Sequence, residues 1–126
     1  MQNSVFAAVA DPQLRGYAVW VPKSGGQGSD VPTAAQRIPD VRNAHYWDDR
    51  AALMAAYTKV LKLPEDAWDI YMIYGRNARW DGALPPKPKF WMHQLGSRDK
   101  PRVPGPFLQS SVFTARVNAA LAEPGR

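Results

Sequence analysis

Twelve prolines and nine glycines punctuate this chain of 126 residues, so that its apolar stretches come as short runs between sharp connections. Such punctuation predicts a fold with many tight turns rather than a helix bundle. No apolar run approaches the roughly 20 residues that a membrane-spanning helix needs. Residues 1–20 also lack the basic start, unbroken apolar stretch and cleavage site of a leader. On those grounds the chain, as given, reads as soluble and cytoplasmic with no membrane partner, although the absence of Cys fits either compartment. Its length lies within the range of one domain, and 45% apolar residues with five Trp supply enough mass for a core, so a single domain over residues 1–126 is expected. A second count is as restrictive: with no Cys, disulfides, thiolate catalysis and dithiol redox chemistry are excluded for this chain.

The pattern between the punctuation marks alternates helix and strand. Val5, Phe6 and Val9 share a helical face within residues 4–10, with Ser4 as a cap. Residues 15–21 form a short run rich in aromatic and β-branched side chains, closed by Pro22, which predicts a fully buried strand. A flexible surface loop follows over 23–40, with one helical turn around 33–37. Residues 41–47 predict a second strand. Asp48 or Asp49 then caps a helix over about 50–62 with Leu53, Met54, Tyr57, Val60 and Leu61 as its apolar stripe. Residues 68–74 are the clearest strand pattern. Gly75-Arg76-Asn77 predicts a turn into a returning strand at Arg79-Trp80. The segment Leu84-Pro85-Pro86-Lys87-Pro88 lies outside any central strand, because proline donates no ladder hydrogen bond. Residues 90–95 predict another strand, with Phe90, Met92 and Gln94 on one face and Trp91, His93 and Leu95 on the other. After a Pro- and Gly-rich connection over 96–106, the spacing of Leu108, Val112, Phe113, Val117 and Leu121 predicts a C-terminal amphipathic helix over 107–122, ended by Pro124-Gly125. The implied class is α/β, a mixed sheet with flanking helices.

This order resembles the thioredoxin-like fold from its first helix onward. The residues that carry the resemblance, to uncharacterised bacterial thioredoxin-like proteins, are Tyr17-Ala18-Val19-Trp20-Val21-Pro22, His45-Tyr46-Trp47-Asp48, the stretch from Ala67-Trp68 to Ile73-Tyr74, and that from Pro85-Pro86 through Phe90-Trp91 to Gln94-Leu95. It covers about residues 3–95 and implies a thioredoxin-like sandwich, N-terminally shortened. The family's first strand and Cys-x-x-Cys have no counterpart here, and Ala67-Trp68 stands where its cis-proline would be. No catalytic residue carries over. A sheet without its first strand leaves an edge open for another chain, so a homodimer is expected.

Candidate sites follow from residue chemistry. The two histidines, His45 and His93, with Asp48, are the weak candidates for acid–base catalysis, an imidazole being the side chain that titrates near neutrality. Their spacing fits no metal motif, and no pattern calls for a metal or a cofactor. Ser4, Ser24, Ser29, Ser97, Ser110 and Ser111 sit in no nucleophile elbow. The glycines of 25–28 are not followed by the Lys of a phosphate loop, so they predict flexibility. Tyr46, Trp47, Trp68, Trp80 and Trp91 concentrate aromatic surface between 45 and 95, as a ligand pocket or subunit contact would. Sixteen Lys and Arg against eleven Asp and Glu give a net charge of +5. The densest basic stretch holds Lys87, Lys89, Arg98, Lys100 and Arg102 around Phe90 and Trp91, a pattern that suits single-stranded nucleic acid and equally a solvated loop beside a buried strand. The preferred reading is a non-redox binding or protein-interaction module with a protein or small-molecule partner. The alternatives are a small enzyme using His45 or His93 in an aromatic pocket, and nucleic-acid binding through 87–102.

Overall fold

Val5, Phe6 and Val9 are buried as their spacing predicts, but the helix is a single wide turn, Gln2–Phe6, and Val9 lies beyond its end. In this computed structural model, which describes residues 1–23 and 25–124, the amide of Ala7 reaches back five residues to the carbonyl of Gln2 (2.7 Å). Ser24 and the Gly125 of the expected helix stop lie outside the described residues. The chain resolves into two compact units, Met1–Ala52 and Leu53–Arg126.

In the first unit β1 (Gly16–Trp20) pairs in parallel with β2 (Asn43–Trp47), Tyr17 opposite Ala44 and Val19 opposite Tyr46. No other strand of the described residues pairs with either. Gly16 is required where it stands, since a Cβ there would collide with the Phe6 ring and with Asn43 Oδ1. The connection from β1 to β2 carries more structure than its composition predicts. A 3₁₀ turn over Gly28–Asp30, with Asp30 accepting the amide of Gln27 at 2.8 Å, leads into α1 (Val31–Ala35), where Pro32 occupies the first turn that tolerates it. The backbone of Gly28 lies against the Trp47 indole.

Arg42 ties this unit together. Its five N–H donors meet five acceptors: the carbonyls of Phe6 (2.5 Å), Val9 (2.6 Å) and Asp11 (3.0 Å), and both carboxylate oxygens of Asp40 (2.9 Å each). The same guanidinium sits 5.6 Å from the centre of the Phe6 ring. The bidentate arginine, with the Arg42 amide, holds the Asp40 carboxyl down to about 2.

From Leu53 onward the second unit holds all but the first residue of α2 (Ala52–Val60), which is shorter than predicted at both ends, then β3 (Ile70–Ile73), β4 (Phe90–His93) and α3 (Ser110–Ala122). β3 and β4 are antiparallel, with Tyr71 opposite Met92 and Ile73 opposite Phe90. These four side chains share the face on which α3 lies, where Phe113 meets the Tyr71 ring edge-on at 6.3 Å and the Phe90 ring at 6.4 Å. Arg116 covers Phe90 at 4.5 Å, and an ion pair joins Lys89 to Glu123 just beyond the helix. From the opposite face Ile70 and Trp91 pack on a buried cluster of Leu63, Ala67, Leu95 and Val103, which Tyr57, Leu61 and Trp68 complete.

The returning strand expected at Arg79-Trp80 is absent. Trp80 is half-exposed and its indole donates to the carbonyl of Gly82 (2.7 Å), closing a local loop, and the partner of β3 is β4. The architecture is therefore mixed α/β with two small sheets, one parallel and one antiparallel, and flanking helices. No helix of the described residues is long and apolar enough to cross a membrane.

Candidate functional site

Strand alternation sorts the aromatics of the first unit onto two faces. Ala18, Trp20, His45 and Trp47 point one way. The Trp20 indole N–H, which can only donate, is 3.1 Å from His45 Nδ1, so that nitrogen accepts and the imidazole carries its proton on Nε2. That N–H faces the carbonyl of Ile38 at 3.0 Å, with the Asn43 amide 3.1 Å away. Both ring nitrogens are thus committed to the fold. Asp48, the proposed acid–base partner, instead accepts the backbone amide of Ala52 at 3.0 Å and fixes the start of α2, while its own amide donates to the carbonyl of Trp20.

The other face carries Tyr17, Val19 and Tyr46. Tyr17 is 69% exposed and Tyr46 52%, and their rings stack at 6.3 Å with 27° between planes. This corrects the expectation of a fully buried strand over 15–21: both faces of that run are apolar, yet only one is covered. Tyr17 and Val19 escaped the sequence reading for this reason. A hydroxyl-bearing ring at Tyr17, in register with the face of Tyr46, was the signal for them.

His93 in the second unit repeats the arrangement of His45 at full burial. The amide of Leu95 donates to its Nδ1 (3.0 Å), and Nε2–H donates to the carbonyl of Gly105 (3.1 Å). Its backbone holds the same segment, accepting from the amide of Leu108 (2.7 Å) and donating to the carbonyl of Pro106 (3.1 Å). The ring meets Phe107 edge-on at 5.5 Å. His93 is therefore a pin that fastens residues 105–108 to β4. Among the described residues no three His, Cys, Asp or Glu side chains gather as a metal site would require.

Tyr71 and Tyr74, which the sequence places in a strand and in the aromatic cluster between 45 and 95, have specific roles inside the fold. Tyr74 donates to the carbonyl of Pro86 (2.6 Å) and accepts from the Tyr57 hydroxyl (2.7 Å), anchoring the proline-rich segment. Tyr71 donates to Asp69 (2.8 Å) and meets the Gln94 amide at 2.7 Å. Burial pushes both phenols well above their ordinary range.

Three of the five basic candidates are engaged within the chain. Lys89 pairs with Glu123, Arg102 with Glu65 (3.0 Å), and Arg98 donates to the carbonyl of Leu108 (2.9 Å) while stacking 5.4 Å from Phe107. Of the aromatic candidates, Tyr46 and Trp80 are exposed, whereas Trp47, Trp68 and Trp91 are half-buried. No protein-family model, curated protein or solved structure matches the chain.

Proposed function

We propose that the protein is a non-redox binding module with a thioredoxin-like order of elements, whose first partner is a second copy of itself. The observation that carries this reading is the exposed face of Tyr17, Val19 and Tyr46 on a parallel strand pair. Parallel strands are ordinarily covered on both faces, and tyrosine is enriched where proteins meet. A second copy fits better than a charged partner. Neither β1 nor β2 contains Lys, Arg, Asp or Glu, so in a chain of net charge +5 this face is where two like-charged copies approach with least repulsion. A two-fold contact sets the tyrosine pair of one copy against that of the other.

The thioredoxin-like order is supported by the succession of a parallel pair, α2, an antiparallel pair and α3. Without Cys, such a scaffold works through surface and shape. The acid–base alternative is disfavoured by the hydrogen bonds that occupy all four imidazole nitrogens, and the nucleic-acid alternative by the internal partners of Lys89, Arg98 and Arg102. Light scattering at micromolar concentration tests the self-association. A dimer that tightens as salt screens the net charge is expected, and a monomer at every concentration and salt would overturn it.

A further inference from the structure

We propose that a cleft in the second unit binds a small aromatic anion, an aryl phosphate or carboxylate, independently of self-association. The cleft has a volume of about 180 Å³ and is lined by Val60, Leu61, Lys62, Lys87, Pro88 and Trp91. Trp91 and the aliphatic residues supply an apolar wall for a ring, and Lys62 and Lys87 line the same cleft, their charge matching that of an anion. Among the described residues neither lysine has a carboxylate partner.

The walls are held in place before any ligand arrives. The Tyr74 hydroxyl bonds the carbonyl of Pro86, fixing the segment that presents Lys87 and Pro88. Trp91 abuts Gly105, where an added Cβ would come within 2.5 Å of the indole. α2 closes with paired bonds from the amide of Leu63 to the carbonyl of Thr58 (3.0 Å) and from that of Lys62 to that of Lys59 (3.2 Å). Such preorganisation lowers the entropic cost of binding.

Lys62 is the most informative residue. It occupies the closing position of that motif with φ +55°, a left-handed conformation for which glycine is the ordinary choice. A lysine at a helix C-terminus also offsets the negative end of the dipole. Lys59, in the last turn with right-handed backbone, already does so without strain. The strained position therefore serves the cleft, which Lys62 and Lys87 both line.

Isothermal titration with phenyl phosphate, with the Trp91 indole N–H followed by NMR, tests this. Wild type is expected to bind with a Kd at or below about 1 mM, and inorganic phosphate or benzyl alcohol alone about tenfold or more weakly. Lys62→Gly and Lys87→Gln should each weaken phenyl phosphate roughly tenfold, the worth of one charge-assisted hydrogen bond. Lys62→Gly should also unfold at the same temperature as wild type or higher, since it relieves the left-handed strain. Absence of binding, binding of inorganic phosphate as tight as that of phenyl phosphate, or unchanged affinity in either lysine variant would overturn the proposal.

Discussion

At the scale of single residues, His93, His45 and Arg42 show polar side chains spent on the backbone. The imidazole of His93 receives one amide proton and gives one proton to a carbonyl, both inside the fold. His93→Leu leaves the Leu95 amide and the Gly105 carbonyl without partners, and a loss of about 3 kcal/mol is expected by urea unfolding, from two orphaned backbone groups. A change below about 0.5 kcal/mol would show that His93 has no structural role. Asp40 makes the stability of the first unit pH-dependent. Its folded carboxyl lies at about 2, below the ordinary value near 3.9, so its contribution is fully present above about pH 4 and is lost as pH falls through 2. Urea titrations from pH 5 to pH 2 should therefore show a shallower acid loss in Asp40→Asn than in wild type. An identical slope would remove the Asp40–Arg42 pair from the account. Neither role was written in the sequence: Arg42 finds its carbonyls only because the chain returns to Phe6 and Val9, thirty-odd positions away.

Among the elements, legibility followed how local the cause was. The runs that became β1, β2, β3 and β4 are rich in apolar and aromatic residues between breakers, and all four strands lie within their predicted ranges. The alternation of residues 90–95 also assigned faces as observed: Met92 shares the α3 side with Tyr71, and Leu95 joins the opposite cluster. What failed was pairing. Gly75-Arg76-Asn77 offered a turn, but the residues after it closed onto themselves through the Trp80 indole, and the true partner of β3 begins only at Phe90, after sixteen intervening residues. Pairing at a distance leaves little local trace, because it rests on which face finds cover. Gly105 illustrates a cause that composition alone conceals. Its φ of +108° and the Trp91 ring against it exclude a side chain, so Gly105→Ala is expected to cost about 1–3 kcal/mol in urea unfolding. A neutral result would mean that the contact between the connection and β4 is loose.

For the whole molecule, the same logic turns from cohesion to association. The sequence shows the aromatic surplus and suggests a second copy at an open sheet edge, yet it places Tyr17 and Val19 in the interior, because a run apolar on both faces looks buried until one face is seen uncovered. Three exposed side chains on an uncharged strand pair, in a chain of net charge +5, form the basis of the proposed dimer. Sedimentation equilibrium on wild type and on the double variant Tyr17→Ser/Tyr46→Ser tests this most directly. Wild type is predicted to sediment at twice the chain mass of 14.0 kDa and the variant at the chain mass itself, with unchanged circular dichroism. A wild type that stays at 14.0 kDa, or a folded variant that remains dimeric, would contradict the account.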